Sequence, residues 1–187
     1  MRKWRRVQAA DGPRFVSALD PHEVALLSTM ATSVSEMLDE RQSGAPSDPL
    51  EQITGIRTGN SSPPEDATLR RLLPDFVKES TDDGSVAALR SLHEPEIIDA
   101  KIAAAQQLLE TLPGEDGRVS LTEADANAWI AAVNDMRLSL GTILGVGPDG
   151  PDRLPPGHPL AAHLDVYQWL TVLQEYLVLG LMDKPIR

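Results

Sequence analysis

Four groups of residues carry types and spacings that can do chemistry. The first, Gly145-Val146-Gly147-Pro148-Asp149-Gly150, spells G-x-G-x-x-G. In dinucleotide-binding loops that string follows a strand and opens a helix, whose first amides meet the pyrophosphate. Here a helical pattern precedes it, and Pro148 and Pro151 prevent a helix from opening there, so it reads as a linker. The second, Asp116-Gly117-Arg118-Val119-Ser120 with Glu123, resembles the back half of a calcium loop. Its first and third ligand positions would be Leu112 and Gly114, which leaves too little negative charge for a divalent cation, so a tight turn before a helix cap is expected. The third is histidine. His158 and His163 are five apart, His22 and His93 stand alone, and no second pair completes a tetrahedral site; Asp165 is read as a helix cap rather than a ligand. The fourth is carboxylates beside other charges, Asp99 with Lys101 and Glu94 with Glu96, which read as solvated charges rather than an acid–base pair tuned by burial. With no G-x-S-x-G elbow, P-loop or H-E-x-x-H, and no cysteine for a Cys–His hydrolase, no catalytic residue, metal or cofactor is expected and the chain reads as a non-enzyme.

Charge says more about partners than about reactions. The net charge is −11, yet residues 1 to 14 hold Arg2, Lys3, Arg5, Arg6 and Arg14 against Asp11, a balance of +4 that leaves −15 for the rest. An acidic body argues against broad nucleic-acid binding, because phosphate neutralisation dominates that affinity. The basic end permits local contact with promoter DNA or an acidic partner, and equally permits the arm to fold back on its own body. Arg137 is the other informative base, since helical geometry sets it between Val133 and Leu140 on an apolar face. A guanidinium there needs an acceptor. An acid on a neighbouring helix is the expected partner, and an external anion is the alternative.

These residues hang on a mainly helical framework. The length of 187 residues and 41% apolar content fit one domain with its own core, built with few aromatics. Trp4–Val7 and Arg14–Ala18 flank the turn Asp11-Gly12-Pro13 and predict a hairpin whose Trp4, Val7, Phe15 and Leu19 face the helices. Asp20, Pro21 and Glu23 open a helix with a buried stripe through Val24, Leu27, Ala31, Val34 and Leu38. Residues 41 to 64 read as loop with one short helix capped at Asp48, and Asp66–Leu73 as a short helix stopped by Pro74. Glu79–Ser85 reads as a polar, mobile segment, and Val86–Leu92 as one or two helical turns. Pro95 restarts a helix that ends at Leu112. Arg118–Leu121 is a short strand. Thr122 and Asp125 box the start of a central helix to Gly145, buried through Ala126, Trp129, Ile130, Val133, Met136, Leu140, Ile143 and Leu144. The last helix, 165–182, is apolar nearly all round. Trp169, Val172, Tyr176 and Leu179 form a face covered by the rest of the chain, as expected first, or by a second copy in a homodimer. The expected architecture is therefore a single-domain helical bundle with a small N-terminal β-hairpin and a short strand. Its parts are a basic arm (1–19), a helical body (20–145), a Pro/Gly linker (146–164) and a C-terminal helix. The most apolar run, Tyr176–Met182, is too short to cross a membrane, and residues 1 to 15 lack the apolar core of a secretory signal, so a cytoplasmic protein is expected.

Five ordered stretches, LDPHEVALL (Leu19–Leu27), DPLEQITGI (Asp48–Ile56), LRRLLPDF (Leu69–Phe76), AWIAAVNDMRLSLG (Ala128–Gly141) and VYQWLTVLQEYLV (Val166–Val178), together resemble the AosR family of actinomycete oxidative-stress regulators. That family was long catalogued as a domain of unknown function. The resemblance spans essentially the whole chain. It implies a cytoplasmic transcription regulator of redox-response genes that works with an alternative sigma factor or RNA polymerase and feeds cysteine biosynthesis. It carries over no catalytic residue. In the family's best-described members an N-terminal cysteine pair senses oxidant by closing a disulfide. The matching stretch here, Met1–Ala10, has no cysteine, so it cannot close that switch. Oxidation of Met30, Met37, Met136 or Met182 is chemically open, but these positions read as buried. A helical adaptor that docks proteins without touching DNA is the alternative reading.

Overall fold

The computed structural model describes residues 4–45, 55–77, 82–147, 150 and 157–184. Arg2, Lys3, the helix expected at Asp48 and most of the Pro/Gly linker lie outside them. Three strands and five helices make up the described fold: β1 (Arg5–Ala9), β2 (Gly12–Ala18), α1 (Pro21–Ser43), α2 (Ala67–Leu72), α3 (Asp83–Thr111), β3 (Arg118–Leu121), α4 (Glu123–Ile143) and α5 (Ala161–Leu181).

The hairpin and the short strand are one antiparallel sheet in the order β1-β2-β3, with Arg6 opposite Phe15 and Phe15 opposite Leu121. Paired residues share a face, so Phe15, Val119 and Leu121 go to the core while Arg5, Val7, Val16, Arg118 and Ser120 go outward. Trp4, Phe15 and Leu19 are buried as expected; Val7 is 38% exposed and belongs to the outer face, because pleat alternation opposes it to Arg6. Gly117 closes the sheet onto the chain entering α1. Its φ of +64° suits a residue without Cβ, and a Cβ there would strike the Leu19 carbonyl.

α4 is the hub, packing against α1, α2, α3, α5, β2 and β3. Its capping box has Thr122 accepting from the Asp125 N–H at 3.1 Å and Asp125 accepting from the Thr122 N–H at 2.9 Å. Trp129 is fully buried, donates from Nε1 to Thr111 Oγ1 at 2.7 Å, and meets the Trp4 ring edge-on with centroids 5.9 Å apart. The stripe departs from expectation at Ile143, which is 65% exposed on the final turn. Gly145, at φ +67°, then stops the helix. Val146 N–H bonds the Gly141 carbonyl and Gly145 N–H the Thr142 carbonyl, a complete Schellman cap. α1 likewise carries the full Asp20–Glu23 box with Pro21 in its first turn.

α3 corrects the sequence reading most. The polar Asp82–Ser85 stretch is not a loop but its start, with Asp82 capping the Ser85 N–H, and the helix runs unbroken through Pro95. A proline in mid-helix leaves the carbonyl four residues back without its donor. Here that carbonyl, Ser91, accepts from the Gly59 N–H at 2.7 Å, and Ser91 Oγ returns a bond to the Gly59 carbonyl at 3.0 Å. The loop ahead of α2 thus supplies what the helix lacks. Glu94 is also not solvated. It is 1% exposed, accepting from Arg41 Nε and Arg90 Nη1, both at 2.8 Å, and Arg90 also donates to Asp75 and the Leu73 carbonyl. Lys101 points inward too, donating to Asp135 at 2.6 Å. Asp99, as expected, is exposed, holding Arg57 and Gln42.

α5 begins at Ala161, four residues ahead of the expected start, with Leu160 as an N-cap that offers no side-chain bond. Asp165 lies inside the helix and caps nothing. Proline and glycine density hid this start, since no capping residue announces it.

Candidate functional site: the arginine-bearing face of the sheet

On the outer face of the sheet Arg5, Val7, Arg118 and Ser120 are exposed and Val16 is half-buried. Arg5 and Arg118 reach it from β1 and β3, and they bracket Val16 and Ser120 of the middle and far strands. An open depression of about 420 Å³ lies between them, lined also by Ser17, Ala18 and Val119. Neither arginine has an acceptor among the described residues. With Val7 and Val16 beside them, they make a face that is basic and partly apolar, on a chain whose remaining residues are acidic.

The other described arm bases, Arg6 and Arg14, are spent within the fold. Arg6 crosses to Asp183 past the end of α5 at 2.7 Å, and Arg14 is tied to Asp11 in its own hairpin turn. That bond, a backbone bond and the guanidinium charge hold the Asp11 carboxyl below its ordinary range. The arm thus both folds back and remains partly free. Sequence reading missed Arg118. The alternation Arg-Val-Ser-Leu gives its face, but nothing local tells that β3 pairs with β2 and brings it onto the same sheet face as Arg5.

Arg137 does not meet the carboxylate expected on a neighbouring helix. Its Nη1 donates to the amide oxygen of Gln174 on α5 at 2.6 Å, and no carboxylate reaches it among the described residues. The Trp169–Leu179 face resolves by residue. Trp169 and Tyr176 pack on the core, and Trp169 Nε1 donates to Glu23 at 3.0 Å; Leu179 is half-buried and Val172 is 37% exposed. The chain itself covers most of that face.

Among the described residues no three of His, Asp and Glu converge as cation ligands. The Asp116 turn acts as a turn: Asp116 accepts from the Arg118 N–H at 3.1 Å and Thr122 caps α4. His158 Nδ1 accepts from the Leu160 N–H at 3.2 Å, shaping the entry to α5. No helix among the described residues is long and apolar enough to cross a membrane.

Residues 1–181 match a family described as a domain of unknown function, DUF2017. The chain belongs to the DUF2017 family. The oxidative stress regulators AosR of Mycobacterium tuberculosis (strain ATCC 25618 / H37Rv) and Mycobacterium bovis are each 62% identical to it, over 98% of this chain and 89% of theirs. The putative oxidative stress regulator AosR of Mycobacterium leprae (strain TN) is 61% identical over 97% of this chain and 89% of its own. No solved structure matches. Identity at this level over this length makes the DUF2017 fold described above the fold of those relatives too, hub helix and sheet included.

Proposed function

We propose that this protein regulates oxidative-stress genes in the cytoplasm, and that it does so by binding a protein of the transcription apparatus, an alternative sigma factor, rather than by reading DNA itself. The observation that carries the regulatory half is the 62% identity to chains named as oxidative stress regulators over 98% of this one.

The mode of action rests on the distribution of bases. Direct base readout uses a helix or ribbon that lays several donors along one groove. α5 carries no lysine or arginine, and α4 carries only Arg137, half-buried and held at Nη1 by Gln174, too few donors to lay along a groove. The sheet offers two unpaired guanidinia, Arg5 and Arg118, beside exposed valines. That combination suits an acidic, partly apolar protein surface, with promoter phosphates as a secondary contact.

The test is fluorescence anisotropy of labelled promoter DNA over a salt series, with and without the purified sigma factor, for wild type and for R5E/R118E. Both arginines are exposed and, among the described residues, unpaired, so the double variant keeps its melting temperature. The expected result is DNA capture that requires the sigma factor and falls by about tenfold or more in R5E/R118E. Capture by the protein alone, lost when the arm bases are neutralised, would make it a direct DNA binder. Capture in neither case would favour the adaptor reading.

A further inference from the structure

Among the described residues, and setting Arg70 aside, the arginines without carboxylates occur in two pairs. Arg6, Arg14, Arg41, Arg57 and Arg90 each hold an acid, and Arg70 spends Nε and Nη2 on the Pro64 carbonyl. Arg5 and Arg118 share the sheet face. The second pair, Arg71 and Arg137, lies elsewhere and lines a cleft of about 580 Å³ between α2, the last turns of α4 and α5.

The cleft differs from the rest of an acidic protein. Among the described residues its walls are Arg71, Arg137, Leu138, Gly141, Thr142, Tyr167 and the Gly145–Gly147 turn, with no carboxylate among them. Arg137 is half-buried and held at Nη1 by Gln174, which fixes the guanidinium and leaves Nη2 and Nε without acceptors among the described residues. Arg71 is exposed and makes no bond among them either. The carbonyls ending α4 would repel an anion if bare. The Schellman cap occupies two of them, Gly141 and Thr142, at 2.8 and 3.1 Å. One wall is flat: a Cβ on Gly141 would stand 3.1 Å from Tyr167 Cε2, so the ring lies close against the helix backbone. A volume of this order suits a small organic molecule rather than a polymer.

We propose that this cleft binds a small-molecule phosphate monoester, with its phosphate between Arg71 and Arg137 and its organic body against Tyr167, Leu138 and Val146. Two guanidinia match a phosphate monoester, which carries nearly two negative charges at neutral pH, better than a singly charged carboxylate. Arg137 is the anchored donor and Arg71 the one that closes on the ligand from the rim. The site lies on helices, apart from the sheet face, so binding there adds a small-molecule input to a protein whose described residues include no thiol.

Isothermal titration of the full chain with ribose 5-phosphate, adenosine 5′-monophosphate, inorganic phosphate and adenosine tests this. Both esters are expected to bind saturably, inorganic phosphate more weakly, and adenosine not at all. R71Q is expected to weaken the esters by about tenfold with an unchanged melting temperature, since one charge-assisted contact is lost and no fold contact is. Amide shifts in the bound protein should centre on Gly145 and Gly147 rather than on β1 and β3. No saturable ester binding, R71Q binding as tightly as wild type, or adenosine or free phosphate binding as well as the esters would each overturn the proposal.

Discussion

Glu94 and Asp135 are both carboxylates sealed inside the helical body, yet they are held differently. Glu94 receives two guanidinia, one on each oxygen. Asp135 receives one ammonium, from Lys101, and is 3% exposed. Loss of water outweighs that single partner, so burial pushes the Asp135 carboxyl up despite the lysine. A carboxyl raised in the folded state favours folding only while protonated. Its contribution is fully present below its ordinary value of 3.8 and is lost as pH rises through the raised folded value. In D135N the amide oxygen still accepts from Lys101 and does not titrate. Asp20, Asp99 and Asp125, which their hydrogen bonds lower, behave alike in both proteins and cancel in the comparison. Wild type should therefore lose stability relative to D135N as pH is raised from about 3.5 to about 7, read from urea midpoints at each pH. A gap that stays constant, or moves the other way, would mean that Lys101 rather than desolvation governs the pair.

At the scale of elements, α3 depends on a residue far from it in sequence. Pro95 removes a helical donor, and Gly59 replaces it from the loop before α2. The approach is tight: a Cβ on residue 59 would lie 2.9 Å from Pro95 Cγ and 3.0 Å from Cδ. G59A should cost about 1–3 kcal/mol by overpacking, seen as a lowered urea midpoint, and the residue 59 amide should exchange faster than in wild type. Unchanged stability would show that the loop shifts freely and does not support the helix. The same contact explains what sequence reading could and could not reach. α1, α2 and α4 announce themselves with side-chain caps and 3.6-residue stripes, all local in the chain. α3 was read as broken because the rule for proline is local, whereas its remedy lies more than thirty residues away. The start of α5 is not legible locally, because Leu160 offers no side-chain cap. In the candidate site, Arg5 was legible from composition, while Arg118 needed strand pairing and Arg71 needed the approach of α2 to α4. Arg137 was found from its helical position, but its amide partner was not, since both polar and acidic side chains can satisfy a guanidinium.

The whole molecule joins its basic sheet to its last helix through the Arg6–Asp183 ion pair, and the residue beside that pair is Met182. Met182 is 55% exposed, contrary to the buried position its sequence suggests, because α5 ends before it and it stands past the packed stripe. Met136 is 1% exposed at the centre of α4, and Met30 and Met37 are half-buried on α1. Sulfur oxidation requires access to the oxidant, so exposure ranks the four. Peroxide should convert Met182 to the sulfoxide well before Met136, measured by peptide mass spectrometry over a time course. These 187 residues include no cysteine, so when this protein alone is treated with peroxide no thiol reductant should reverse the effect on partner binding, whereas methionine sulfoxide reductase should. Equal rates at Met136 and Met182 would instead mean that the hub helix opens on the timescale of the reaction. Recovery of partner binding with dithiothreitol would remove methionine as the agent. The distinction matters for the proposed regulator reading, because these 187 residues offer no thiol and methionine is the oxidisable sulfur they hold.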